Sequence, residues 1–331
     1  MIAAVASAVV LAFAAGCYSP HIDECLYACA QGDECPAGFG CSKGRCASTG
    51  TACPAADAND DAPTDAPRPC NLAAQFDHPT KVVELSSTSS DGSLRLTDNE
   101  LVAYFWSDRT SMPRIYTSTR ASLAAAWAAP SPGSADINPI TSNYTPAISS
   151  NGLQFVFVVN GSSIYFTKRP APSGAFATPA TQLTQLNTGA SNVTPAWSYD
   201  GTGLYYATNP STGTFDLAHA TYDPSSNIWT NDGTIAGLNS AADELSPVVT
   251  RDELTIYWSS TRTDLGTHGG GDIFRATRTA KTGAWSNIEQ VPELDTNLWD
   301  AVTAISSDGC RIYLENESGT SRDLYVAAKP P

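Results

Sequence analysis

The chain has 331 residues, among them 24 glycines and 22 prolines, and its 33 acidic and 18 basic side chains leave a formal charge of −15. That length supports a large core, and the acidity excludes the basic stripe with which proteins grip a phosphate backbone. No nucleic-acid partner is expected, and no long amphipathic helix pattern runs beyond the N-terminus.

Residues 1–16 are almost wholly small and apolar. The stretch is too short to span a bilayer comfortably and ends in small residues, the pattern of an export signal peptide. It lacks the Lys or Arg usual at the head of such a signal, which leaves an upstream start open. Ala14-Ala-Gly-Cys17 resembles the bacterial lipobox, although that motif usually has Leu three residues before the cysteine. The resemblance implies cleavage ahead of Cys17 and acylation there, with roughly 0.8 kcal/mol of membrane affinity per buried CH₂. Tyr18, standing where Asp would retain an inner-membrane lipoprotein, implies an outer-membrane lipoprotein, periplasmic or surface-exposed. The alternative is an ordinary signal peptide followed by an unrelated cysteine.

Residues 17–53 form the next segment. Six cysteines, Cys25, Cys29, Cys35, Cys41, Cys46 and Cys53, fall within 29 residues. In an exported chain that density reads as a disulfide staple whose connectivity the spacing leaves open. Cys35-Pro-Ala-Gly-Phe-Gly-Cys41-Ser-Lys-Gly-Arg-Cys46 looks like part of an EGF-like or related small module. Zinc is the rival reading, but His21 is the one histidine nearby and the compartment is oxidising, so no metal is expected. Residues 54–70 follow as an Ala/Asp/Pro-rich linker that cannot form a core. Its Asp57, Asn59, Asp61 and Asp65 faintly resemble a calcium loop, but Ala62 and Arg68 stand where Gly and Glu would be required. No cofactor is expected.

Residues 71–331 repeat one pattern five times: an apolar run, a polar turn, an alternating run, a turn and a third run. Its turn residues are Asn99, Asn151, Asp200, Asp252 and Asp308, spaced 52, 49, 52 and 56 residues apart. Strand repeats of about fifty residues mark a propeller, and Asn-Gly or Asp-Gly pairs suggest tight hairpins with positive φ at both central residues. Second strands are expected at Val102–Phe105, Phe155–Phe157, Leu204–Tyr206, Ile256–Trp258 and Ile312–Leu314, and third strands at Ile115, Ile164, Leu217, Ile273 and Leu324. An aromatic opens a fourth run at Trp127, Phe176, Trp229 and Trp285, but the last repeat ends without one. Its counterpart precedes the first repeat, where Phe76 aligns with Trp285, Val82 with Val291 and Leu85 with Leu294. The expectation is an all-β, five-bladed propeller of four-stranded antiparallel blades, closed by the N-terminal strand. Cys70 and Cys310 lie where the two ends would meet and are expected to pair.

The repeat core Ser-Xaa-Asp-Gly, Ile-Tyr, Ser-Xaa-Arg, Asp-Ile-Tyr is similar to the WD40-like (PD40) repeats of the TolB family. Ser307-Asp-Gly309 with Ile312-Tyr313 and Asp323-Leu-Tyr325 carries the likeness. So does Asp252 with Ile256-Tyr257, Ser260-Thr-Arg262 and Asp272-Ile-Phe274. The resemblance spans residues 76–331 and implies fold. TolB proteins have six blades and an added α/β domain, so their partner contacts have no counterparts here.

Chemistry is sparse. No Gly-Xaa-Ser-Xaa-Gly surrounds a serine. His219 lies on a strand, and His268 sits in the flexible excursion Leu265-Gly-Thr-His-Gly-Gly-Gly271. A glycosidase would need two carboxylates about 5–10 Å apart across a funnel. Asp136, Asp243, Glu244 and Asp300 are the candidates, with Asp243 and Asp300 read as equivalents explained by repetition. Trp197, Trp258 and Trp299 could stack on sugars or pack in the core. No catalytic residue is assigned. The expectation is a monomeric, membrane-anchored binding or scaffolding module for an envelope protein or glycan, with a polysaccharide-active enzyme as alternative. Carboxylates clustered at the channel mouth would favour the enzyme, and a lining of Ser, Thr and aliphatic residues the scaffold.

Overall fold

The computed structural model describes residues 39–42, 45–48, 70–138, 142–189, 191–210, 213–265 and 270–331. The chain divides into two units, Met1–Pro67 and Arg68–Pro331. In the first, β1 (Phe39–Ser42) and β2 (Arg45–Ser48) form an antiparallel hairpin with Cys41 opposite Cys46 in register. The export segment, Cys17, Cys25, Cys29, Cys35, Cys53 and residues 54–69 lie outside the described residues.

The second unit is a ring of five four-stranded antiparallel sheets. Blade 1 comprises β4 (Asp91–Leu96), β5 (Val102–Ser107), β6 (Arg114–Thr119) and β7 (Ser131–Pro132). Blade 2 comprises β8 (Asn143–Ile148), β9 (Gln154–Val159), β10 (Ser163–Lys168) and β11 (Thr181–Gln182). Blade 3 comprises β12 (Ser191–Trp197), β13 (Gly203–Asn209), β14 (Asp216–Asp223) and β15 (Ile228–Thr234). Blade 4 comprises β16 (Glu244–Val249), β17 (Thr255–Ser260), β18 (Asp272–Thr277) and β19 (Ser286–Gln290). Blade 5 is built from β20 (Asp300–Ile305), β21 (Arg311–Ser318) and β22 (Ser321–Ala328), completed by β3 (Thr80–Lys81). Thr80 pairs with Val326 and Lys81 with Tyr325, so the N-terminal strand closes the last blade and no long sheet edge is left open there. Cys70 and Cys310 form a disulfide with 5.7 Å between their Cα atoms. The 70–77 segment reaches Cys310 by running past the end of β22, where Asn71 N–H donates to Pro330 O and Asp77 N–H to Ala328 O.

Apolar side chains on both faces of each sheet pack into the neighbouring blades, so the core is five seams. Tyr104 and Phe155 meet edge to face at 5.2 Å between blades 1 and 2. Val156 and Tyr206 belong to the seam of blades 2 and 3, Tyr205 and Trp258 to that of 3 and 4. Phe76, Ile273 and Leu314 pack between blades 4 and 5, and Leu85, Phe105 and Leu324 between 5 and 1. Every seam buries aromatic and β-branched side chains, which suit a pleated, two-sided sheet. Trp258 is fully buried and Trp197 nearly so, both in core clusters.

The turn between first and second strands recurs in atomic detail and corrects the expected turn type. Thr97, Ser149, Ser198, Thr250 and Ser306 each accept the N–H three residues on. Their hydroxyls donate to Asn99, Asn151, Asp200, Asp252 and Asp308 two residues on, whose Oδ1 accepts the N–H two residues further. The Asx residues do not have positive φ; the residue after each does. That position is Gly152, Gly201 or Gly309 in three blades but Glu100 (φ 54°) and Glu253 (φ 56°) in the others, a conformation unusual for a residue with Cβ.

Candidate functional site

The first strands β4, β8, β12, β16 and β20 contact one another around the ring and so surround its axis. Each is interrupted by a bulge, where Ser93, Thr145, Thr194 and Ser246 adopt positive φ in the first four blades. A bulge bends its strand and raises local twist, which suits the crowded axis. The turn face of the channel holds a cavity of about 110 Å³. Its rim takes one turn residue from each blade: Asp98, Ser150, Tyr199, Arg251 and Ser307. Below the rim the walls are Ala147, Ile148, Ala196, Val248, Ala304 and Ile305.

Two contacts cross the axis from blade 1 to blade 3. At the rim the Tyr199 hydroxyl donates to Asp98 at 3.0 Å, and the Arg251 guanidinium stacks on the Tyr199 ring, 4.4 Å from its centroid. Burial, and then the bond to Asp98, raise the Tyr199 phenol above its ordinary pKa. Deeper, Arg95 donates from Nη2 to Pro195 O at 2.8 Å. Arg95 is 7% exposed, and burial lowers its pKa to about 10 against the pull of Glu315.

The carboxylates of the first strands are engaged in the walls. Register places Asp91, Asn143, Asn192, Glu244 and Asp300 at one equivalent position, so Glu244 rather than Asp243 is the counterpart of Asp300. All five are fully buried. Asp91 accepts from Ser87 N–H and Oγ and pairs with Arg109. Glu244 accepts from Ser240 N–H, Ser240 Oγ and Ser260 Oγ, and Asp300 from Thr296 N–H and Oγ1. Each thus fastens the loop entering its blade. Asp243 Oδ1 accepts from Phe215 N–H and Asp136 Oδ2 from Phe176 N–H, both structural contacts. Burial, with Asp272 nearby, raises Asp300 to about 6; burial, with Asp272 and Asp300, raises Asp295 to about 7.

Other sequence candidates disperse. His219 Nδ1 lies 2.7 Å from Asp232 on the half-exposed outer part of blade 3, beside the ring of Tyr205. His268 lies outside the described residues. Trp299 packs on the backbone of Gly271, where a Cβ would come within 2.7 Å of its ring. Among the described residues no group of three metal-ligating side chains occurs, and no helix is long and apolar enough to cross a membrane.

Two repeated devices escaped the sequence reading. The arginine just after the third strand stacks on the aromatic opening the fourth run: Arg120 on Trp127 at 4.3 Å, Arg169 on Phe176 at 4.4 Å and Arg278 on Trp285 at 4.2 Å, with Lys329 over Phe76 at 4.8 Å. The three arginines also donate from Nε to the carbonyls of Glu100, Gly152 and Glu253. Secondly, the side chains of Asn138, Asn187 and Asn239 continue the ladder of the outer edge. Each both accepts from and donates to the backbone, at Ile115, Ile164 and Leu217. In blade 4 that residue is Asp295, whose Oδ1 accepts from Ile273 N–H.

No protein-family model and no curated protein sequence matches the chain. Solved structures match in fold. TolB from Acinetobacter baumannii is 16% identical with a TM-score of 0.41, over 74% of this chain and 56% of that one. The putative TolB from Agrobacterium tumefaciens is 16% identical at TM-score 0.45, over 74% and 78%. A thermostable family-43 glycoside hydrolase is 15% identical at TM-score 0.49, over 75% and 92%. The chain thus spans little more than half of the Acinetobacter protein.

Proposed function

We propose that this protein is a non-catalytic binding module of the cell envelope, exported, lipid-anchored through Cys17, and meeting a protein or glycan through the turn face of its ring. One observation carries the reading. The channel walls on that face are mainly aliphatic, with Trp197 and Arg95 among them, beneath a rim of Asp98, Ser150, Tyr199, Arg251 and Ser307, while the first-strand carboxylates are engaged in holding loops. Exposed Arg251 stacked on Tyr199 supplies a rigid aromatic and a cation at the rim, a pairing frequent at binding hot spots. The test is capture from solubilised envelope, in parallel with a glycan array, using the wild type and an Arg251→Glu, Tyr199→Ala double variant. Binding to a defined partner or glycan that the double variant loses tenfold or more supports the reading, and equal binding by both opposes it.

A second reading, a polysaccharide-active enzyme, draws on the raised carboxyls of Asp295 and Asp300, since a general acid requires such a shift. Release of reducing sugar that Asp300→Asn abolishes without unfolding the ring would replace the first reading by this one.

A further inference from the structure

Arg95 is the strangest side chain in the ring. A guanidinium carries five N–H donors and a permanent charge, and burying one is costly unless acceptors surround it. Here Nη2 reaches Pro195 O, whereas Nε and Nη1 are buried with no hydrogen-bond partner. The nearby Glu315 does not hydrogen-bond to them; its Oε2 accepts from Ser93 N–H and its Oε1 from Arg322 Nη1. The side chain nonetheless lines the channel cavity, whose walls at Ile148, Val248 and Ile305 are apolar. Each long edge of the guanidinium plane pairs a free donor with Nη2. Whichever edge Pro195 O occupies, the other keeps two parallel N–H groups, the fork that matches a carboxylate.

We propose that the central channel is a site for a small aliphatic carboxylate, its two oxygens accepting from Arg95 and its hydrocarbon part seated among Ile148, Val248 and Ile305. A cavity of about 110 Å³ admits a short acid and excludes a folded chain. Against a net charge of −15, Arg95 in the depth of the channel and Arg251 at its rim are the cations that would draw an anion inward. The apolar walls at Ile148, Val248 and Ile305 then select a carboxylate with a hydrocarbon tail over a fully hydrated inorganic ion. The proposal deepens the binding reading by naming what the channel takes, and it stands apart from what the rim contacts.

Titration calorimetry of the full chain with butyrate, butyramide and sodium bromide tests it. Butyrate should bind, butyramide and bromide should not, and Arg95→Gln should weaken butyrate at least tenfold, whereas the Arg251→Glu, Tyr199→Ala variant reports separately on capture at the rim. Arg95→Lys, which keeps the charge but loses the fork, should bind with intermediate affinity and serves if the glutamine variant does not fold. Equal binding of butyrate and butyramide, bromide binding in place of butyrate, unchanged butyrate affinity in a folded Arg95 variant, or no butyrate heat from the wild type would each overturn the proposal. Loss of rim capture with butyrate binding intact would instead fault the wider reading alone.

Discussion

Glu100 and Glu253 show how a single side chain can justify an unfavourable backbone. The same turn position holds glycine in three blades, where positive φ is free of the Cβ penalty. The carboxylate of Glu100 accepts from Arg311 Nε and Nη2 and from the Tyr313 hydroxyl, tying blade 1 to blade 5. Glu253 accepts from Lys281 and the Tyr205 hydroxyl, tying blade 4 to blade 3. Glu100→Gln leaves Arg120 without a charged partner and Arg311 with Asp308 alone, and should cost about 2 kcal/mol by urea denaturation, with Arg311 partly exposed to solvent. Asp295 gives a pH-dependent counterpart. A carboxyl raised to about 7 in the fold holds a proton that the unfolded chain, titrating near 4, releases. Its stabilising contribution is therefore full at low pH and is lost as pH rises through about 7. Asp295→Asn restores the residue found in three other blades and removes that ionisation cost. The variant should gain about 1 kcal/mol at pH 8 and little at pH 5, read from unfolding curves at the two values.

At the scale of the strand, the sequence carried the element types because period and burial agree. Ile256–Trp258 and Ile312–Leu314 are β-branched and aromatic runs and are found as second strands buried on both faces. The fourth runs were located by Trp127, Phe176, Trp229 and Trp285, and the structure explains why aromatics stand there. Three of the four lie under an arginine that bonds the neighbouring turn, and Trp229 lies against Tyr222 instead. The arginines were invisible as a motif, since stacking joins residues seven positions apart across a hairpin. The placement of Arg95 was likewise illegible, because its acceptor Pro195 is 100 residues away on the far side of the axis. The turn type was misjudged because Asx-Gly spacing does not reveal which of the two residues takes positive φ. The closing element offers the sharpest test of strand energetics. Phe76 is 5% exposed and packs edge-on to Tyr257. Phe76→Ala should cost about 3 kcal/mol and, by loosening β3, expose the edge of β22; dimers or larger species should then rise in light scattering.

For the ring as a whole, closure joins residues that are far apart along the chain. The Cys70–Cys310 bond spans a sequence separation of 240, so it removes much of the freedom of the unfolded chain. On chain-entropy grounds its loss in a Cys70→Ser, Cys310→Ser pair should lower stability by about 5 kcal/mol, seen as a depressed melting temperature that added reductant no longer changes. Five blades, the closing strand and the meeting of the two ends were all readable from a period near fifty. What the axis holds was not, because the first strands are placed beside one another by the circle itself.

The same bond sets how the ring bears a pull. β3 is two residues long and is held to β22 by few hydrogen bonds, a strip that would peel under tension applied from its N-terminal side. Force arriving along the chain from that side meets Cys70 first and is handed through sulfur to Cys310, at the mouth of β21 in the interior of the sheet. The zipper of β3 is thereby taken out of the line of tension. A pull on the ring from its N-terminal side is borne by a covalent rivet set deep in one blade, and its seal stays slack.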